Sequence, residues 1–118
     1  TTGQGRPHPR FYGTFAKVLG HYSRDLGLLP LQDAVHKMTG ASAKALGLKD
    51  RGILKEGFRG DITIFDPETI AERATYDDPH QFAAGVDTVL VNGGRTLQGG
   101  DHTGALVGKI LRRQQDFQ

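Results

Sequence analysis

A chain of 118 residues with 36% hydrophobic content, 17 glycines and no cysteine has the length of one domain, but with many turns and a thin core. Its 15 basic and 13 acidic residues are interspersed and leave a net charge of +2, so no basic stripe marks a nucleic-acid surface. The lack of cysteine excludes disulfide scaffolds and thiolate metal sites and fits a cytoplasmic location; no run of about 18 apolar residues offers a membrane span.

The opening Thr1-Thr2-Gly3 has no initiator methionine and no signal-peptide pattern, which leads us to expect a processed product or a piece of a longer protein. Residues 1–10 read as irregular, rich in glycine and proline. Phe15, Val18, Leu19, Tyr22 and Leu26 then recur at spacings of three and four, which predicts a helix over 15–26 with Thr14 as N-cap and Gly27 beyond its end. A second helix is expected from Pro30-Leu31 through Met38, and a short third over 42–46, stopped by Gly47.

From Lys49 the character changes. Tight turns are expected at "DRG" (50–52) and around Gly57, and "DITIFDP" alternates like a strand closed by Pro67, with Ile62 and Ile64 on one face. Residues 68–85 read as a polar loop. Strands are expected at 87–91 and 95–98, joined by Asn92-Gly93, the strongest short-range hairpin signal there is. A glycine-rich loop and a short helix or extended tail follow, carrying a basic cluster of Lys109, Arg112 and Arg113 that reads as a solvated end. Helices first, then strands, make an α+β chain.

Five histidines (His8, His21, His36, His80, His102) raise the question of a metal, but none is spaced as H-x-H, H-x-x-x-H or H-E-x-x-H. His21 and His36 are expected on helix surfaces, and His80 beside the carboxylates of Asp77 and Asp78. Ser23 and Ser42 lack the strand-turn-helix setting of a serine nucleophile. Arg10 stands out, held between Pro9 and the aromatic pair Phe11-Tyr12. Its planar fork would grip a carboxylate bidentately; a salt bridge capping the nearby helix is the other reading, and both stay open on the residues alone.

Taken together, "HPRFYGTFAKVLGHY", "LPLQDAVHKMTGASAKALGLKDRGILKEGFRGDITIFDPETI" and "GVDTVLVNGGRTLQGGDHTGALVGKILRR" closely resemble the C-terminal region of D-aminoacylases, the N-acyl-D-amino-acid deacylases of the amidohydrolase superfamily. The likeness runs in order over nearly the whole chain. Ala16-Lys17 stands where Pro-Arg is commoner in that family.

The resemblance implies a larger metal-dependent enzyme: a (β/α)8 barrel carrying zinc and a small β-sandwich domain. Residues 1–50 would be the loop and helices after the last barrel strand, and 51–118 the C-terminal part of the β domain. The reaction implied is hydrolysis of the amide of N-acyl-D-amino acids, with the metal polarising the carbonyl and activating water and an Asp acting as base and then acid. The metal ligands and that Asp belong to sequence before the family's His-Pro-Arg and are not in this chain, so the chain alone is expected to bind no metal and to be inactive. Arg10 matches the arginine expected to hold the substrate carboxylate, and His8 is expected to order its loop. The partners implied are that small-molecule substrate and the N-terminal part of the same enzyme, or a self-association partner, without nucleic acid or membrane. A free-standing, non-catalytic α+β partner-binding module is the alternative. It predicts a monomer with two-state unfolding, whereas a piece predicts poor stability, self-association and exposed strand edges.

Overall fold

The computed structural model describes residues 5–112; Thr1-Thr2-Gly3 and Arg113, both used above, lie outside the described residues. The chain forms two compact units that interleave in sequence, 1–34 with 65–86 and 35–64 with 87–118.

The first unit is built on α1 (Arg10–Lys17), which runs on without a break into a π-helical segment (Val18–Asp25). The helix therefore begins five residues before the expected start. Thr14 is no cap: it sits inside the first turns and turns its hydroxyl back to the Arg10 carbonyl at 2.7 Å. The end falls where expected. Gly27, at φ +60°, turns the chain back so that its own N–H reaches the Ser23 carbonyl at 3.1 Å and the Leu28 N–H the Tyr22 carbonyl at 3.0 Å, a wrapped stop one residue wider than the Schellman pattern, in keeping with the π-helical winding.

The buried face is not the expected one. Phe15 is 66% exposed and Leu26 52%, and Tyr22 is also exposed. Only Leu19 of the fully apolar set is buried, and with it Gly13, Ala16, Gly20 and Ser23. The reason is the segment after Pro67, which lies along the small residues at distances a larger side chain would not allow. A Cβ at Gly13 would stand 2.5 Å from Glu72 Cγ, and one at Gly20 would overlap the Ile70 carbonyl oxygen.

That segment is a built loop. Asp66 accepts the Glu68 N–H on Oδ1 and the Thr69 hydroxyl on Oδ2, both at 2.9 Å, winding a turn that buries Ile70 to 2% exposure. Ala71 and Ala84 then exchange both backbone bonds, at 2.9 and 3.2 Å. Arg24 donates to the carbonyls of Pro67 (3.2 Å) and Ile70 (2.8 Å), and Lys17 pairs with Glu72 at 3.1 Å.

Helix α2 (Leu31–Met38) carries the chain out of the first unit, and α3 (Gly40–Leu46) lies in the second, ending at Gly47. Its start is two residues earlier than expected. The expected turns appear at Gly52 and Gly57. Across them Arg59 donates to Asp50 at 2.8 Å and Arg51 pairs with Asp61.

The sheet takes its strands in the order β1 (Ile62–Phe65), β2 (Val86–Val91), β3 (Gly94–Gln98) and β4 (Asp101–His102). β2 and β3 form the expected antiparallel hairpin, with Val91 opposite Gly94 and a register shift between Val89 and Leu90. Asn92 and Gly93 sit at φ +49° and +80°, the two positive values of a type I′ turn, for which Asn-Gly is the favoured pair. Alternation in β1 is weaker than expected: Thr63 and Ile64 are exposed while Ile62 and Phe65 are half-buried. Residues 103–112 follow with neither helix nor strand. With helices preceding a small sheet, the chain is α+β. None of the described helices is long and apolar enough to cross a membrane.

Candidate functional site

The start of α1 is organised by His8. Pro9 is buried and brings no N–H, and Arg10 is the first helical residue. The Arg10 N–H donates to His8 Nδ1 at 3.1 Å and the Phe11 N–H to the His8 carbonyl at 3.1 Å. Pro9 directly precedes the helix and offers no capping side chain, and the His8 imidazole one residue earlier accepts the first helical N–H in its stead. A backbone N–H only donates, so Nδ1 accepts and the ring proton is assigned to Nε2. On that side the Tyr76 hydroxyl lies 3.0 Å away, with the two rings edge to face, 5.1 Å between centroids.

A second pair repeats the pattern. The Tyr12 hydroxyl meets His80 Nδ1 at 2.9 Å, while His80 Nε2 lies 2.8 Å from the Gly5 carbonyl. The carbonyl only accepts, so Nε2 carries the proton and Tyr12 donates. The expected carboxylate partner of His80 is therefore replaced by a phenol and a backbone carbonyl. The two pairs have the same sequence offset of 68 residues, so 76–80 runs alongside 8–12 in the same sense. Phe82 packs edge-on to Tyr12 at 5.7 Å, and Arg6 donates to the Asp77 carbonyl at 3.4 Å.

Arg10 projects from this frame and is exposed. Its guanidinium carbon lies 5.9 Å from the Phe11 ring centroid, and among the described residues it forms no ion pair. The salt-bridge reading of Arg10 therefore finds no partner there. Its position also opposes the helix dipole, which favours anions at an N-terminus and makes an unpaired cation unfavourable by about 0.3–1 kcal/mol.

Farther along the helix, Lys17, His21, Arg24 and Asp25 line a cleft of about 340 Å³ with Ala71 and Glu72. Its charges satisfy one another. The Glu72 hydrogen bond, and then its charge, raise the Lys17 pKa above 10.5, and Arg24 holds Asp25 at 2.8 Å. His21 and His36 are exposed, as expected. His102 accepts the Gly104 N–H at 2.9 Å. Among the described residues no three His, Asp or Glu side chains stand close enough to hold a metal ion.

Tyr76 and the Tyr12–His80 pair were invisible in the sequence. No spacing rule links residues 68 apart, and "ATYDDPHQF" reads as an ordinary polar loop.

Residues 3–96 match the amidohydrolase family, and the chain belongs to it. Within that family the chain is 51% identical to a D-aminoacylase of Alcaligenes xylosoxydans xylosoxydans over 92% of its own length and 22% of that protein's. It superposes on the crystal structure of a D-aminoacylase with a TM-score of 0.89 at 50% identity, covering 92% of this chain and 23% of that one. An N-acyl-D-glutamate deacylase from Bordetella bronchiseptica, complexed with zinc and a phosphonate mimic of the tetrahedral intermediate, superposes with a TM-score of 0.76 at 45% identity, covering 77% of this chain and 19% of that one. The chain thus spans about a fifth of the length of these relatives.

Proposed function

We propose that these residues serve a metal-dependent amidohydrolase that cleaves the amide of N-acyl-D-amino acids to a carboxylate and a free D-amino acid. On this reading Arg10 holds the substrate's α-carboxylate. Residues 1–50 form the loop and helices that follow the last strand of a (β/α)8 barrel, and 51–118 form the C-terminal part of its small β domain. A cytoplasmic location, suggested by the lack of cysteine, belongs to the same proposal.

The observation that carries the reading is Arg10 itself: exposed, without a carboxylate partner among the described residues, and fixed at its backbone by His8. A guanidinium so placed is built to receive an anion from outside. The likeness to deacylases supplies the kind of anion.

By the same likeness the metal is zinc, which would polarise the scissile carbonyl and activate water. Among the described residues no three His, Asp or Glu side chains stand close enough to hold it, and the part we assign to these residues is binding and orienting substrate. The 118 residues assayed alone are accordingly expected to be inactive.

Arg10→Ala in the intact enzyme should lower kcat/KM for N-acyl-D-amino acids by an amount worth about 1.5–3 kcal/mol, one lost charge-assisted contact. An unchanged kcat/KM removes Arg10 from the site.

A further inference from the structure

Resting on the reading of Arg10 as the carboxylate clamp, we propose that His8 and Tyr76 are positioning residues that fix where the clamp stands. The chain of contacts is continuous. Tyr76, on the loop after Ala74, meets His8 Nε2 at 3.0 Å, and His8 Nδ1 accepts the N–H of Arg10 at 3.1 Å. One face of the imidazole thus registers the loop, and the other registers the backbone from which the guanidinium extends.

Accepting the Arg10 N–H alone would need only the Nδ1 side, a role that a Ser, Thr, Asp or Asn oxygen takes at other helix starts. The ring has a second end, and that end is used. The edge-to-face packing of the two rings, 76° between planes, sets the imidazole's rotation as well as its distance. Pro9 between the two residues fixes φ and so stiffens the link between ring and clamp. Arg10 is carried on the first residue of α1, so a tilt of the cap is transmitted to the guanidinium through one backbone. The Tyr12–His80 pair, anchored on the Gly5 carbonyl, holds the same loop one turn along.

The test separates the two nitrogens. The side-chain amide of Asn reaches the place of Nδ1 and that of Gln the place of Nε2, so His8→Asn keeps the bond to Arg10 while His8→Gln keeps the approach to Tyr76 and loses it. In the intact enzyme, with N-acyl-D-amino acid as substrate, His8→Ala and His8→Gln should each raise KM about tenfold and shift kcat less than about twofold, the pattern of lost ground-state placement. His8→Asn should recover most of the KM, and Tyr76→Phe should raise it about threefold. Equal KM values for His8→Asn and His8→Gln would overturn the proposal, and that pair decides the matter even if His8→Ala fails to fold. An unaltered KM in Tyr76→Phe removes Tyr76 from it. If Arg10→Ala itself leaves KM unchanged, the clamp reading fails instead, and the two failures are told apart by that variant.

Discussion

The carbonyl oxygen of Ile70 occupies the place that a Cβ on Gly20 would need, and the carbonyl carbon stands 3.2 Å from the same point. Helix and loop therefore meet backbone to backbone at this glycine. Elsewhere in a helix, Gly→Ala is stabilising by about 1 kcal/mol. Here the obstacle is main chain and cannot swing aside, so overpacking at about 1–3 kcal/mol or more wins. Gly20→Ala should lower the melting temperature of the intact protein, whereas Gly108→Ala, with open space around it, should leave it within error.

The turn at Asn92-Gly93 gives a second stability test. Alanine at Gly93 must adopt φ +80°, at a penalty of about 1 kcal/mol. Asn92→Ala meets the same strain and also loses the bond from Nδ2 to the Val107 carbonyl at 2.8 Å. Denaturant midpoints should rank wild type above Gly93→Ala above Asn92→Ala. A reversed order of the two variants would show that the side-chain bond contributes nothing.

Two ion pairs act at opposite ends of the pH scale. The hydrogen bond from Arg59, followed by the charges of Arg59 and Arg51, holds the Asp50 carboxyl below its ordinary 3.8. A lowered folded pKa contributes stability that is present above about pH 4 and is lost as the pH falls through the lowered value. Lys17, raised above 10.5 by Glu72, contributes below that pH, and the contribution is lost as the pH rises through the raised value. Melting curves of Arg59→Gln should lie below wild type at neutral pH and converge with it in acid. Those of Glu72→Gln should lie below wild type at neutral pH and converge with it in strong alkali, where Lys17 loses its charge. Both pairs are partly exposed, so the effects should be small and should shrink with salt.

Charge alone does not make Arg10 replaceable. Lysine keeps the positive charge but loses the planar fork. Arg10→Lys should therefore recover less than half of the free energy lost in Arg10→Ala, read as kcat/KM on N-acyl-D-amino acids. Full recovery would mean that only the field of the charge matters.

The Tyr12–His80 bond is open to a double-mutant cycle. Tyr12→Phe and His80→Ala should each destabilise, with a coupling of about 0.5–1.5 kcal/mol between them. Additive losses would mean that the hydroxyl and the ring contribute independently.

Much of the local structure was legible from residue order. Asn92-Gly93 announced its hairpin, Pro67 and Gly47 their stops, and Leu31–Met38 its helix, because each depends on chemistry within a few residues. The helix start was misread because the residue before it is Pro9 and the side chain that accepts its first N–H is the His8 imidazole, neither among the usual Ser, Thr, Asp and Asn signals. The buried face was misread because hydrophobic periodicity weighs Phe15 and Leu26 heavily and gives Gly13, Ala16 and Gly20 almost no weight. Close approach of two backbones selects for smallness, and smallness carries little hydropathy signal. At the candidate site Arg10 was visible as a residue type, but its support by Tyr76 depends on a loop that returns 68 residues later.

The shared offset of the two tyrosine–histidine pairs makes the stretches 8–12 and 76–80 a matched ruler. A residue inserted inside either stretch must break one pair while the other holds, whatever its chemistry. One inserted in the sheet hairpin at Asn92-Gly93 leaves both untouched. Among relatives of differing length, indels should therefore be excluded from these two five-residue windows and tolerated at exposed turns well away from them.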